Sequence, residues 1–408
     1  MNCRHCRAPL SLPLVDLGSS PPSNAYLTES ALHGPEKWFP LRVLLCQQCW
    51  LAQTEDFAEA NQLFSADYSY FSGFSSTWLT HCQHYVQDVI ARFGLNQQSL
   101  VVEVAANDGY LLQFVQAARI PCLGVEPTAG TAAAARAKGL NIVEDFFGLR
   151  LANELAGQGH QADLMVAKNV LAHVPDINDF VAGFGRLLKG QGVATFEFPH
   201  LLSLLRECQF DTIYHEHFSY LSLTAVERVM EHNGLHVFDV ESHSTHGGSL
   251  RVFAQLAQSG PYSRSPRVVE LLREEAEAGL LSPAGYADFQ KRTDQIKNDF
   301  LHFLIEAHRA GQRVAAYGAA AKGNTLLNYS GIRADLVSFV ADRNPAKQGK
   351  FMPGSRIPIV TEEHLQQERP DYVVILPWNL KEEVSQQLSY IRSWGGKFVT
   401  AIPELSLT

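Results

Sequence analysis

The chain has 408 residues, 46% of them hydrophobic and 18% charged, a globular composition too long for one ordinary core, so two or three domains are expected. A formal net charge of −9 argues against a nucleic-acid backbone as the main partner but leaves room for an anionic small molecule held by a few local donors. No apolar run reaches the roughly eighteen residues of a membrane span, and Met1-Asn2-Cys3-Arg4-His5-Cys6 has no apolar signal core, so the chain is expected in the cytoplasm and off the membrane.

The N-terminal segment carries Cys3-x-x-Cys6 and Cys46-x-x-Cys49, with 39 residues between the pairs. Four thiolates in two such knuckles suit tetrahedral zinc, and a site with no open position holds structure and does no chemistry. A redox pair is the rival reading. Cys82, Cys122 and Cys208 are scattered and read as core residues. Between the knuckles, "VDLGSSPPSNAYL" (15–27) reads as loop from its Pro and Ser punctuation. After Cys49 an aromatic-rich stretch with Tyr68, Tyr70 and Phe71 leads into a helix whose apolar stripe is Trp78, Leu79, Cys82, Tyr85, Val86 and Val89.

An α/β series follows. "SLVVEVAANDGYLLQFVQAA" (99–118) reads as strand, turn and helix, and "CLGVEP" (122–127), "GLNIVED" (139–145), "ADLMVAKNVLAHV" (162–174) and "GQGVATFEFPH" (190–200) supply further strands. Strands alternating with helices predict a parallel sheet covered on both faces. The turn Glu103-Val104-Ala105-Ala106-Asn107-Asp108-Gly109 stands where a nucleotide fold has its glycine-rich turn, but it has a single glycine and two acids. Those acids would repel a pyrophosphate and suit the cationic amino-acid end of S-adenosylmethionine (SAM). Glu126, followed by Pro127, lies 23 residues after Glu103 at the end of the second strand, where a carboxylate accepts ribose hydroxyls. Asp145 and Phe146 follow the third strand and can face the adenine; Asn169 and His173 lie past the fourth, where methyl donor and acceptor would meet. A nicotinamide-binding domain with a degenerate turn shares the ribose carboxylate and is the alternative.

Residues 260–309 are charged and helical and read as a connector between domains. A second α/β series then runs through "RVAAYGAAAKGNTLLNYSG" (313–331), "LVSFVADRNPAKQGK" (336–350), "IPIV" (357–360), "DYVVILPW" (371–378) and "KFVTAIPE" (397–404), enough for a small doubly wound domain. Two sheets separate in sequence predict a ligand cleft between them.

With "LGSSPPSNAYL", "YSYFSGFSSTWLTH", "EVAANDGYLL", "NVLAHVPD", "FEFPH", "YHEHFSYLS", "HGGSLRV", "YGAAAKGNTLLNYSGI" and "DRNPAKQGKFMPGSRIPI" following the cysteine pairs in order, the chain resembles the sugar C-methyltransferases that act on nucleotide-linked 4-keto-6-deoxysugars. The resemblance runs nearly end to end. It implies a zinc-binding domain over 1–66, a Rossmann-like SAM domain over 67–259, the helical connector, and a small Rossmann-like α/β domain over 310–408 that helps hold the sugar nucleotide. It also implies methyl transfer to C-3′, with His217 as base and Tyr214, Glu216, His173 and Tyr68 beside it; Tyr70 can take the place of Tyr68.

The chemistry agrees with that cluster. Carbon becomes nucleophilic here once the C-4′ ketone lets C-3′ lose a proton, and an imidazole has the natural pKa for the base. Glu216 is expected to hold a partner group or tune His217, and Tyr214 or His173 to donate a hydrogen bond to the enolate oxygen. The competing reading of "YHEHFSY" is a second metal site at His215, Glu216 and His217. "THGGSLRVF" (245–253), with Arg251 as an anion contact, and "AAAKGNT" (319–325), with Lys322, Asn324 and Thr325 at a helix start, are expected to serve the acceptor, and Asp342 and Lys347 to frame the nucleotide. Rival functions are N- or O-methylation of a related sugar and an NAD(P)-linked sugar oxidoreductase. A monomer is expected, because the zinc lobe and the connector can cover exposed edges.

Overall fold

The computed structural model describes residues 1–57, 73 and 76–408. Its first sheet is set by period-two burial: Leu41, Val43 and Leu45 face inward along β2 (Phe39–Leu45), which pairs antiparallel with β1 (Leu12–Ser20) and β3 (Ala52–Thr54). Residues 15–20, expected as loop, are therefore strand. Register shifts between Pro13 and Val15 and between Asp16 and Ser19 interrupt the alternation, and Gly18 takes the left-handed φ of +72° that the irregularity needs. The fourth strand of this sheet, Ser219–Tyr220, arrives from the middle of the chain and pairs with β3.

Beside it the four cysteines converge. Their sulfurs lie within 4.8 Å of one another, with Cys3 Sγ 3.5 Å from Cys49 Sγ and Cys6 Sγ 3.4 Å from Cys46 Sγ. Sulfurs about 2.3 Å from a common tetrahedral ion stand at similar mutual spacing, so the donor set fits zinc. The Cys49 amide and the Gln53 side chain point at Cys46 and Cys3, as is usual for donors that stabilise thiolates.

The second sheet has seven strands in the order β10-β11-β8-β7-β4-β5-β6. Here β4 is Val101–Val104, β5 Cys122–Val125, β6 Ile142–Val143, β7 Ala162–Lys168, β8 Leu188–Pro199, β10 Leu235–His243 and β11 Ser249–Leu256. From β8 to β6 all pairings are parallel, and the near-continuous burial of β4 and β7 reflects helices on both faces. The expected all-parallel sheet needs one correction: β10 and β11 form an antiparallel hairpin on the edge. Its connection is the His246-Gly247-Gly248 segment, where the sequence suggested ligand contacts. The third sheet runs in the order Ile359–Val360, Val340–Ala341, Val314–Tyr317, Tyr372–Ile375, Lys397–Thr400, Ser406–Leu407 and is parallel except for the last pairing.

The 260–309 segment does more than connect. The Phe289–Arg309 helix buries Phe289, Ile296, Phe300 and Leu304 in one core with Leu14, Val15 and Leu17 of β1 and Val314 and Val374 of the third sheet. Each such side chain removed from water contributes about 1.5–3 kcal/mol, so lobe, connector and C-terminal sheet are held together by the same apolar contacts. No helix among the described residues is long and apolar enough to cross a membrane.

The Pro266–Glu277 helix is pinned differently. Its buried Glu275 accepts hydrogen bonds from the Leu223 and Thr224 amides at 2.6 and 2.8 Å, from Thr224 Oγ1 at 2.6 Å and from His200 Nε2 at 2.7 Å. It thereby caps the Leu223–His232 helix. Its pKa is lowered because the His200 and Thr224 donors outweigh desolvation.

Two tests follow from this packing. Elemental analysis is expected to find one zinc per chain, and Cys46→Ser to lose it together with about 3 kcal/mol or more of stability; metal content and melting midpoint both unchanged would reject the zinc assignment. Glu275→Gln is expected to cost on the order of 3 kcal/mol at neutral pH. The folded pKa of Glu275 lies below its unfolded value, so its stabilisation is full above the unfolded carboxylate pKa and lost as pH falls through the folded one. Acid titration monitored by circular dichroism should therefore show a shallower decline for Glu275→Gln than for the parent.

Candidate active site

The loop 210–217 carries the "YHEH" residues between the second and third sheets. His217 Nδ1 lies 2.8 Å from the Thr212 carbonyl, which can only accept, so this nitrogen bears the proton and Nε2 carries the lone pair. The ring packs on Tyr214 at 4.0 Å between centroids and on His173 at 4.6 Å. Burial first, then the adjacent His173, hold the His217 imidazole well below its ordinary value, with Lys322 and His246 adding to the effect.

His173 sits in the Leu171–His173 turn past β7, and its Nδ1 donates to the Glu216 carbonyl at 2.7 Å. Burial lowers it to about 4, so it is neutral and its second nitrogen also presents a lone pair. This corrects one expectation: neutral His173 has no N–H left to donate to an enolate oxygen. Glu216 needs a correction too. Its buried carboxylate turns away from the imidazoles and accepts from Asn24 Nδ2 of the N-terminal lobe at 3.1 Å, while its backbone carbonyl orients His173. His215 points elsewhere again, to the Pro40 carbonyl at 3.1 Å, so the "HEH" side chains do not converge and the second-metal reading falls. Among the described residues the cysteine cluster is the one group able to hold a metal. Tyr68 and Tyr70 lie outside the described residues.

On the second sheet, the turn after β4 holds Ala105, Asn107 and Gly109 at φ of 58°, 49° and 76°. Left-handed non-glycine residues cluster where a site demands them. A Cβ on Gly109 would stand 2.2 Å from Leu140, so glycine is required by contact as well as by φ. Glu126 ends β5, accepting from the Asn107 and Thr128 amides, each at 2.9 Å, and from Thr131 Oγ1 at 3.0 Å. Glu103 is fully buried and neither oxygen has a hydrogen bond of ordinary geometry; burial pushes its carboxyl well up. Asp108 is engaged by Lys138 at 3.2 Å and packs on the Gly73 backbone, which corrects its expected place opposite a free cation. Half-buried Pro127 follows Glu126, and past β6 Asp145 caps the Phe146 amide at 2.7 Å and pairs with Arg150, leaving Phe146 exposed. Asn169, at φ 52°, places Nδ2 3.1 Å from His246 Nε2, and its Oδ1 is buried without a partner. A carboxylate at a strand end, a turn with left-handed backbone and orphaned buried oxygens fit an adenosyl amino acid at the carboxyl edge of the sheet.

Arg251 is corrected outright. It lies in one row across the sheet, Lys168–Glu197–Arg251–Glu241 in register on β7, β8, β11 and β10. Its guanidinium reaches Glu197 at 2.9 Å and Glu241 at 3.1 Å, and His81 closes the row on Glu197 at 2.6 Å. A buried cation so paired is unavailable to an anionic ligand.

From the third sheet, Lys322 enters at the start of the Ala321–Tyr329 helix. Its Nζ donates to Asn379 Oδ1 at 2.7 Å and lies 4.6 Å over Trp378, whose indole N–H reaches Asp211 at 2.8 Å. Burial lowers Lys322 and raises Asp211 to about 6. Asn324 and Thr325 are joints, not ligand contacts: Asn324 Nδ2 donates to the Ser23 carbonyl at 2.6 Å and Thr325 Oγ1 to the Ile213 carbonyl at 2.8 Å. Asp342 accepts from the Ala319 and Asn344 amides, and Lys347 caps the Ala319 carbonyl, so both brace their own domain. The sequence reading missed His246, Asp211, Trp378 and Asn379; of these only His246, before two glycines, carried a local signal.

Comparison with known proteins matches this architecture part by part. Residues 3–64 fit a zinc binding domain, 78–240 a methyltransferase domain and 244–403 a C-methyltransferase C-terminal domain. The chain is 35% identical to the C-methyltransferase NovU of Streptomyces niveus over 402 residues, 98% of this chain and 95% of that one. Among solved structures, an S-adenosylmethionine-dependent methyltransferase from Clostridium acetobutylicum is 12% identical over 45% of this chain and 92% of its own, with a TM-score of 0.36. The magnesium protoporphyrin IX methyltransferase of Synechocystis with bound S-adenosylhomocysteine is 15% identical over 43% and 82%, with a TM-score of 0.34. With a four-cysteine zinc site, a SAM-binding sheet and a relative matched along almost its whole length, the chain belongs to the C-methyltransferase family and is a SAM-dependent C-methyltransferase.

Proposed function

We propose that the protein methylates C-3′ of a nucleotide-linked 4-keto-6-deoxysugar, thymidine- or guanosine-based, through an enolate raised by His217. The observation that carries this reading is the His217 tautomer: with Nδ1–H held by Thr212, Nε2 is a lone pair on a neutral imidazole, which is what proton abstraction next to a ketone needs. Methylation of nitrogen or oxygen needs no proton removed from carbon, so exchange at C-3′ separates the readings.

The remaining residues take supporting parts. His173 and Tyr214 flank the base and fix its plane, and Glu216 positions His173 through its carbonyl. SAM, when bound, supplies an electrophilic methyl group. Glu126 would hold its ribose, the 105–109 turn and Asn169 its amino-acid end, and Asp145 with Phe146 its adenine. Lys322 is the cation left for the acceptor's anionic portion once Arg251 is excluded, and its ammonium also discourages protonation of His217. We divide the chain for this purpose into a zinc-binding domain 1–66, a SAM domain 67–259, a connector 260–309 and a C-terminal domain 310–408. We take the catalytic unit to be a monomer, the connector helix joining the zinc lobe and the C-terminal sheet in one apolar core.

The direct test is mass spectrometry and NMR of 4-keto-6-deoxysugar nucleotides incubated with enzyme and SAM. A gain of one methyl at C-3′ is expected; a methyl on oxygen or nitrogen, or none with any such nucleotide, rejects the reading. Solvent deuterium should exchange into C-3′ in the absence of SAM, and His217→Asn should slow that exchange about 10³-fold. Because the folded pKa of His217 is depressed, the base stays active as pH falls and is lost only below the ordinary imidazole value. The exchange rate is therefore expected to hold its plateau through about pH 6, where an unperturbed imidazole is more than half protonated.

A further inference from the structure

An enolising base needs a partner that meets the charge developing on the carbonyl oxygen, and such donors give large catalytic terms. Neither imidazole beside the loop provides one, since His217 and His173 both commit their N–H to backbone carbonyls. Besides the Tyr214 phenol on the loop itself, the facing side of the site offers a further donor.

His246 occupies that side. It stands at φ 54°, followed by Gly247 at 87° and Gly248 at 114°, so three successive residues are left-handed. The glycines are explained by close approach: a Cβ on Gly247 would fall 2.4 Å from Trp378, and one on Gly248 2.5 Å from Ser203 Oγ. A histidine in this conformation has no such explanation, and unusual backbone of this kind gathers at functional positions. The residue it touches, Asn169, is itself left-handed.

The contact determines the chemistry. Asn169 Nδ2 faces His246 Nε2 at 3.1 Å, so the amide donates and the imidazole carries its proton on Nδ1. That nitrogen has no hydrogen-bond partner among the described residues. Burial, reinforced by Lys322, lowers His246 to about 4, which keeps the ring neutral and Nδ1–H available as a donor. Its location is fixed by packing: the ring meets Trp78 edge-on at 5.3 Å, and the adjoining Gly247 rests on the indole of Trp378 over which Lys322 lies. Asn169 places it past the carboxyl end of β7, and His246 is near enough to His217 to add to the depression of that imidazole.

We propose that His246 is a further catalytic residue, its Nδ1–H donating a hydrogen bond to the acceptor's C-4′ oxygen while His217 removes the C-3′ proton. In that step the C-3′–H bond breaks, the proton goes to His217 Nε2, and the electron pair forms the C-3′–C-4′ double bond as the carbonyl pair moves onto O-4′. The inference rests on the acceptor being a 4-keto sugar nucleotide.

Solvent deuterium exchange at C-3′, followed by NMR with S-adenosylhomocysteine in place of SAM, isolates this step from methyl transfer. His246→Ala is expected to slow exchange about 10²-fold while leaving KM for the sugar nucleotide within about threefold of the parent. His246→Asn tolerates left-handed backbone and keeps an amide donor; it should fold as the parent does and recover part of the lost rate. Exchange at the parental rate in both variants, or a deficit confined to S-adenosylhomocysteine affinity measured by calorimetry, overturns the assignment. If the parent enzyme itself exchanges no deuterium with any 4-keto sugar nucleotide, the substrate reading fails and this inference with it; parental exchange with indifferent His246 variants sinks the inference alone.

Discussion

The loop that bears His217 is held by its carbonyl oxygens. Thr212 O accepts from the His217 ring, Ile213 O from Thr325, Tyr214 O from the His217 amide, Glu216 O from the His173 ring and His217 O from Thr54. A loop buried between sheets has no ladder to satisfy its backbone, and an unmet carbonyl there costs roughly 1–3 kcal/mol. Apart from the His217 amide, the donors that answer this one are side chains, from the loop itself, the first sheet, the turn past β7 and the Ala321–Tyr329 helix. Satisfying the backbone and fixing the histidine tautomers are thus one event, because each ring that donates Nδ1–H to a carbonyl is left with a basic Nε2.

Electrostatics sorts the remaining charges. Lys168, Glu197, Arg251 and Glu241 neutralise one another across four strands, and His81 and Trp78 cover the row from the Ser76–Phe93 helix. With those charges mutually paired, the described residues around the imidazoles leave the ammonium of Lys322, whose own partners are an amide oxygen and an indole face. A cation held by neutral groups keeps more of its field for a ligand than one paired with a carboxylate. Asp211 moderates it without a direct contact, which is consistent with a carboxyl raised to about 6 by burial.

Local spacing made part of this legible beforehand. Cys3, Cys6, Cys46 and Cys49, the strand–turn–helix around Asn107, and Glu126 at a strand end are each recognisable within a few residues, because the chemistry there is set by short-range geometry. Partner choice is not written that way. Asn324 and Thr325 look like phosphate ligands at a helix start, yet their partners are Ser23, 301 residues away, and Ile213, 112 residues away. Arg251 reads as an anion contact until the register of β8, β10 and β11 sets a glutamate on either side of it. The glycines of "HGG" suggested ligand approach, whereas what approaches them is Trp378 and Ser203, and the residue facing the pocket is the histidine before them.

The zinc lobe belongs to the same mechanical system. Arg4, next to Cys3, donates from its guanidinium to Thr54 O at 2.9 Å, and its amide donates to Gln53 Oε1 at 2.9 Å; Gln53 in turn faces Cys3 Sγ. Thr54 Oγ1 then holds the carbonyl of His217 at 3.1 Å, and β3 pairs with the Ser219–Tyr220 strand that follows that residue. Two hydrogen bonds, Gln53 to Cys3 and Thr54 to the His217 carbonyl, thus join a cysteine knuckle to the residue proposed as base. A closed tetrathiolate site has no vacancy for substrate and contributes no Lewis acidity. What it contributes is a fixed position for Gln53 and Thr54, and through them for the ring at 217. Misplacing a base by an ångström is costly in rate, so a metal that never meets the reactants can still govern how fast they react.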